Sequence, residues 1–361
     1  MSVLPLPAQY RDRWSDEYRA ELVDLPRSHQ IIQAASAQPV EQFYQGRTVT
    51  LVIPTATGGI NDLSGRLVAR HIGRFIPGQP TVTPQNRPAN GGLGLLNEFA
   101  TSAPRDGSVI AVVQRAVPLL HVQGDPQAKF DPQAFPWLGS LSSFADDAYM
   151  LIVNATHPAR SVDDLKRPGV TARIGADIPG NTNLTFALIP KIAFGLNLTV
   201  VDGYVGAAAL SEAQRKNEVD GQVIGLVSIS ANQSAMWTSR SVRPLIQFGR
   251  TTRHPQLPDV PTGRELTRDP KVLALLEFAE LPFFMALPFV APAGLPPDRA
   301  AALQKAFMAM CQDPAFLEDA RKAKLDISPI DGEAVRALLT KAAATPKDVV
   351  SHYNEISALK K

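Results

Sequence analysis

Twice in this chain a β-branched run ends in a glycine-containing turn and leads straight into an amphipathic stretch. The first instance opens with Thr48-Val49-Thr50-Leu51-Val52-Ile53-Pro54, a strand by composition. Leu63, Leu67, Val68, His71, Ile72 and Phe75 then recur at helical spacing and predict a helix over 61–75. Between them lies Pro54-Thr55-Ala56-Thr57-Gly58-Gly59-Ile60-Asn61-Asp62. In the second instance a strand over 173–175 meets Ile178-Pro179-Gly180-Asn181-Thr182-Asn183, and a helix follows over 182–194. A strand that feeds a helix this way belongs to a largely parallel sheet, because parallel neighbours need a crossover connection.

The same alternation fills the rest of the chain. Strands are expected over 81–85 and 109–114 with a helix over 93–101 between them, then over 149–153, 198–201, 221–224 and 242–248 with a helix over 207–216. A proline-rich passage, 254–262, reads as a link, and a strand over 284–291 follows it. Helices over 297–311, 314–323 and 331–359, the last broken at Pro346, close the chain, the first two opening on proline. The length of 361 residues is well beyond the roughly 150 of one domain, so two α/β lobes are expected. Lobe I takes 43–147 plus 255–361, because the C-terminal helices are expected to return to it, and lobe II takes 148–254. Residues 1–42 precede the first strand and are expected to be a leader or a disordered segment.

Several function classes drop out on charge and residue type. Lys plus Arg number 36 against 34 Asp plus Glu, so there is no broad basic surface for phosphate backbones and no nucleic-acid partner is expected. Cys311 is the single cysteine, and the six histidines are scattered, so neither an internal disulfide nor a metal site is expected. Prolines at 282, 288, 292, 296 and 297 break the uncharged run over 281–297, which reads as a buried strand and its flanks instead of a membrane span. Arg11, Asp12, Arg13, Asp16 and Glu17 stand where a secretory signal would be apolar, although Ala35-Ser36-Ala37 looks like a cleavage end.

The two turns carry the chemistry. Glycines let the backbone bend tightly and let a ligand approach its N–H groups, and a helix N-terminus favours an anion. Neither turn is a dinucleotide fingerprint or a P-loop, since G-x-G-x-x-G and Gly-Lys-Ser/Thr are absent. Asp62 is placed to cap or charge-match the first helical turn. Gly59 is the glycine expected to need close approach and a positive φ. If the turns face each other, their N–H groups and the hydroxyls of Thr55, Thr57 and Thr182 converge on one carboxylate. The glycine segment from Asn86 to Gly94 either lines that cleft or serves as a turn. Gln114 and Arg115 end a strand on the edge where α/β folds place ligands, and Arg115 suits a bidentate pair with a second carboxylate as well as it suits an ordinary surface. Tyr204 either closes the cleft or packs.

An enzyme would display a nucleophile or an acid/base group. Cys311 sits beside Met308 and Met310 in an amphipathic helix, and no G-x-S-x-G elbow occurs. No catalytic residue and no cofactor are expected. An enzyme acting on a small anionic substrate is the weaker reading, and a sensor that docks on a signalling partner shares every feature above.

Taken in order, the Pro54 to Asp62 loop, Asn86-Arg87-Pro88, Gly91-Gly92, Pro104-Arg105-Asp106-Gly107, Gly203-Tyr204-Val205-Gly206, Glu218-Val219-Asp220-Gly221, Leu257-Pro258-Asp259-Val260-Pro261-Thr262 and Ala291-Pro292-Ala293-Gly294-Leu295-Pro296 form a pattern that covers most of the chain. That pattern resembles the Bug-type substrate-binding receptors of tripartite tricarboxylate transport systems. The resemblance implies a bilobed periplasmic-binding-protein type II fold with a central cleft, and a monomeric periplasmic receptor. Such a receptor closes by a hinge on a small organic acid and presents it to membrane permease subunits. It also implies a carboxylate held by loop N–H groups. By position these come from Thr55, Ala56, Thr57, Gly58, Gly59 and Asp62, and across the cleft from Gly180, Asn181, Thr182, Tyr204, Gly206 and Ala207, with Gln114 and Arg115 added from the strand edge. Thr55 stands where many relatives carry an aromatic residue, and no histidine lies near Leu184, so the resemblance does not carry citrate over. Hydroxyls in those places favour a smaller or more hydrated acid.

Overall fold

The computed structural model describes residues 38–88, 92–177, 182–204 and 206–358. Residues 1–37 of the expected leader, and Gly180 and Asn181 of the expected site, lie outside the described residues. The short helix α1 (Val40–Tyr44) leads into the first sheet, whose parallel half is β1 (Thr48–Ile53), β2 (Thr81–Asn86) and β3 (Val109–Val112). Crossover helices α2 (Ile60–His71) and α3 (Leu93–Thr101) connect them, as parallel neighbours require. The sheet is completed by β4 (Trp137–Ser140), β10 (Pro288–Val290) and β11 (Ile330–Asp331), in the order β11-β4-β10-β3-β1-β2.

The second sheet holds β5 (Tyr149–Asn154), β6 (Ala172–Asp177), β7 (Leu198–Tyr204), β8 (Gly221–Gly225) and β9 (Val242–Phe248), in the order β7-β6-β8-β5-β9. Helices α4 (Thr182–Ala193) and α5 (Gly206–Arg215) make its crossovers, and α6 (Leu226–Asn232) and α7 (Ser234–Thr238) follow β8. Both sheets are mixed. β5 runs antiparallel to β8 and β9, and β10 runs antiparallel to β3 and β4. A strand arriving directly from the other sheet needs no crossover helix, so the parallel pairing expected from the turns is confined to the helix-linked strands.

The chain crosses between the sheets through 141–148 and returns through 249–287. The return segment carries α8 (Pro270–Glu280), which the sequence reading passed over although Asp269 caps it at Lys271 N and Pro270 opens it. Its last residue, Glu280, is fully buried. There it accepts from Gly249 N at 3.1 Å and from Arg264 Nε at 2.7 Å. Burial pushes the Glu280 carboxyl up, and Arg264 opposes that shift.

Helices α9 (Pro297–Met310) and α10 (Pro314–Lys322) bury Leu303, Phe307, Met310 and Phe316 with Leu51 and Phe289 of the first sheet, and α11 (Gly332–Ala343) lies on β4. The last helix, α12 (Lys347–Ala358), does not join them. It packs on α8 and α4, with Tyr353 edge-on to Phe278 at 5.1 Å between centroids. Its stripe of Val349, Val350 and Ile356 is buried in a core shared with Phe186 and Phe248 of the second sheet's side, so hydrophobic burial draws the chain end across. Among the described residues no helix is long and apolar enough to cross a membrane.

Candidate functional site

The C-terminal ends of β1, β3, β6 and β8 open onto one cleft between the sheets, with a cavity of about 1180 Å³. Open α/β sheets hold ligands at such strand ends, where loops and helix starts expose main-chain groups. Gly58 reaches this cavity from the first turn, Gln114 and Arg115 from the end of β3, and Thr182 from the second turn. The structure therefore brings both turns and the strand edge to a single space.

Within the first turn the residues divide. Gly58 has φ +94°, a backbone setting that L side chains rarely adopt, and a Cβ there would meet no atom within 4 Å. Gly59, the N-cap of α2, sits at φ −83° and ψ 172°, so the left-handed glycine is Gly58 and the expectation for Gly59 is corrected. Ala56, Thr57 and Gly59 are exposed, and Thr55 is half-buried. None of these four is among the described residues lining the cavity. The Thr55 hydroxyl is buried without a hydrogen-bond partner among the described residues.

Asp62 turns away from the cavity. Its Oδ2 accepts from Gly58 N at 2.9 Å, and its Oδ1 accepts from Arg66 Nε at 2.9 Å and Asn86 Nδ2 at 2.8 Å. Asn86 Nδ2 also reaches Thr55 O at 3.0 Å. Burial alone would push the Asp62 carboxyl up, but Gly58, Arg66 and Asn86 together hold it below the ordinary range. Asp62 and Asn86 thus brace the turn that carries Gly58 to the cavity.

Arg115 occupies the cavity wall over an aromatic bed. Its guanidinium carbon lies 4.3 Å from the ring centroid of Phe283, 5.7 Å from Phe144 and 6.0 Å from Tyr149. These rings form one cluster: Phe283 is 4.9 Å from both Phe144 and Tyr149 and 5.2 Å from Phe186. Among the described residues Arg115 makes no ion pair and no hydrogen bond, so the π-faces are its main compensation, about 0.5–2 kcal/mol of attraction. Burial pulls its pKa down, while Tyr149 and Asp147 oppose that shift. A half-buried guanidinium with five donors and no acid partner among the described residues is a preformed seat for a carboxylate.

Asp147 faces the same cavity at the end of the first crossing. Its Oδ1 accepts from Ala148 N at 2.8 Å and Val227 N at 3.0 Å. Gly225 makes room for it, since a Cβ there would come within 3.2 Å of Oδ2. Burial pushes the Asp147 carboxyl up to about 6 despite the N–H groups of Val227 and Ala148.

On the second sheet Asn183 holds the strand ends in register, its Oδ1 accepting from Asp177 N at 3.0 Å and its Nδ2 donating to Val223 O at 2.5 Å. It also hydrogen-bonds the buried Tyr149 phenol, whose pKa burial raises to about 12. Tyr204 ends β7 and Gly206 opens α5 at φ +81°, with Ala207 next in the helix. Neither Tyr204 nor Gly206 is among the described residues lining the cavity.

The sequence reading missed Phe144, Asp147, Tyr149, Asn183 and Phe283. A signal existed for Asp147, an aspartate pair directly before a strand at the boundary drawn between the lobes. Phe283 offered none, because its contact with Arg115 is made across the return crossing. Among the described residues no group of His, Cys, Asp and Glu is placed to hold a metal ion.

No protein-family model matches this chain. No curated protein matches its sequence. Solved structures do match its fold. The periplasmic binding protein BugD aligns with a TM-score of 0.59 at 20% identity, over 88% of this chain and 100% of its own. A TctC solute-binding protein from Polaromonas, solved without ligand, aligns with a TM-score of 0.66 at 17% identity, over 86% of this chain and 99% of its own. MatC from Rhodopseudomonas palustris, with bound malate, aligns with a TM-score of 0.56 at 20% identity, over 84% of this chain and 99% of its own. At these identities the likeness is one of fold: the chain has the bilobed α/β architecture of periplasmic binding proteins.

Proposed function

We propose that this chain is an extracytoplasmic solute receptor of the Bug type, which binds a small carboxylate between two lobes and delivers it to a tripartite tricarboxylate-type permease. The lobes are residues 43–147 with 255–361, and 148–254, except that α12 of the first crosses to pack on α4 of the second. One observation carries the reading: Arg115 stands in the cleft over Phe283 with no acid partner among the described residues. The ligand carboxylate takes the guanidinium bidentately and Thr182 adds a hydroxyl from the second lobe, while the Gly58 turn, its own N–H held by Asp62, walls the cleft from the first. Closure then removes water and strengthens each contact. Asp147 is held by two backbone N–H groups, not by a nucleophile or a histidine, which favours binding over catalysis.

Calorimetric titration of the purified chain with propionate, octanoate, malate, adipate and glutamate tests this. At least one acid binds, and Arg115→Met weakens it by about a hundredfold, as expected for a charge-assisted pair. Arg115→Lys retains part of the affinity. Undiminished binding by a folded Arg115→Met protein overturns the assignment.

A further inference from the structure

The cleft has more to say about its ligand than that it is an acid. We infer that the ligand carries a single carboxylate on an apolar body, a reading that rests on the proposed receptor function and narrows its substrate class.

The first observation is charge. Arg115 and Lys324 are the cations among the described residues lining the cavity, against the carboxylates of Asp147, Asp177 and Asp326. Asp326 accepts from Ser142 Oγ at 2.5 Å and Ser328 Oγ at 3.0 Å. One carboxylate on Arg115 is compensated. A second would enter a wall with more acid than base, where like charges repel with little solvent to screen them.

The second observation is apolar exposure. Ile60 is 53% exposed and Leu63 is 42% exposed, two of the four large hydrophobic side chains so exposed among the described residues. Both belong to the first turn of α2, at i and i+3, and both line this cavity. Leu210 and Val227 line it from helices of the second sheet, and Val117 and Leu120 from the segment after Arg115. Scattered exposed hydrophobics are ordinary, but a pair on one helix turn at the mouth of a cleft lined by the Arg115 guanidinium is a matched surface for an amphipathic anion. Of the three turn hydroxyls only that of Thr182 belongs to a residue of this wall: Thr57 is exposed outside it and Thr55, whose hydroxyl pointed toward a hydrated acid, is turned in.

The test compares octanoate, propionate, adipate and glutamate by calorimetry on the full chain and on an Ile60→Ser/Leu63→Gln double variant, whose changes fall on exposed positions. Each methylene buried adds about 0.8 kcal/mol, close to fourfold in affinity. Octanoate therefore binds the parent at least about a hundredfold tighter than propionate, and tighter than adipate or glutamate. The double variant loses at least about tenfold toward octanoate and much less toward propionate. Tightest binding of adipate shows a second cationic contact and overturns the inference while leaving the carboxylate receptor standing. Tightest binding of glutamate does the same by assigning an ammonium group to Asp147. If none of the acids binds and native mass spectrometry of the fresh protein retains no acid, the receptor reading itself fails.

Discussion

Arg250 Nη1 lies 2.9 Å from the backbone oxygen of Asp147, joining the segment that leaves the second sheet to the segment that enters it. The same nitrogen donates to Ala145 O at 2.6 Å. One guanidinium therefore clamps the two crossings side by side, next to the carboxyl that lines the cleft. Replacing Arg250 by Met leaves carbonyls without a charged donor and lowers stability by about 2–3 kcal/mol in urea unfolding. Because the crossings are where the proposed closure bends, the unliganded variant also shows a larger radius of gyration by small-angle scattering. An unchanged midpoint and profile would show that the clamp is dispensable.

Asp147 makes stability depend on pH in an unusual direction. Its carboxyl titrates near 3.8 when free and at about 6 in the fold, so the folded state binds the proton more tightly. Its contribution is then fully present below about pH 4 and is lost as pH rises through about 6. Asp147→Asn removes that loss while its amide oxygen still accepts from Ala148 and Val227. Relative to the parent, the variant gains up to about 3 kcal/mol between pH 4 and pH 7.5 in denaturant titrations. A flat difference across that range would place the carboxyl at its ordinary value.

The Asp62 brace has the opposite sign. Its carboxyl is held below the ordinary value, so its stabilisation is present at neutral pH and is lost as pH falls through the folded pKa. Asp62→Asn presents an amide N–H₂ to at least one of the donors Gly58, Arg66 and Asn86. Thermal unfolding at neutral pH should show a loss of about 1–3 kcal/mol, the cost of leaving a buried donor unmet. A variant as stable as the parent would mean that a simple cap is enough.

Gly58 and Gly59 separate conformational need from mere position. Gly58→Ala forces a side chain into φ +94° and costs about 1–2 kcal/mol in stability, together with measurable loss of ligand affinity if the turn shifts. Gly59→Ala, at φ −83° with open space around it, leaves the melting temperature within about a degree or two. Reversed effects would show that the turn adopts another conformation in solution.

Periodicity and turn chemistry are local properties, which is why the strands at Thr48–Ile53, Thr81–Asn86 and Val242–Phe248 and the helix at Leu93–Thr101 stand where the sequence alone puts them. A strand end followed by Gly58 and a helix start also marks by itself the edge on which the cleft opens. Which atoms line the cleft is not local. Arg115 is either a surface residue or an anion anchor by sequence, and it is the arrival of Phe283 from the return crossing beneath it that sets it in the cleft wall. Asp62 reads as a cleft residue until Arg66 and Asn86 capture its carboxylate. The antiparallel β5 and β10 and the departure of α12 toward Phe278 likewise depend on long-range burial, whose direction no window of neighbouring residues contains. The sequence thus determined the elements and the edge that opens onto the cleft. Packing between segments far apart in the chain decided the charge, the aromatic bed and the apolar wall that line it.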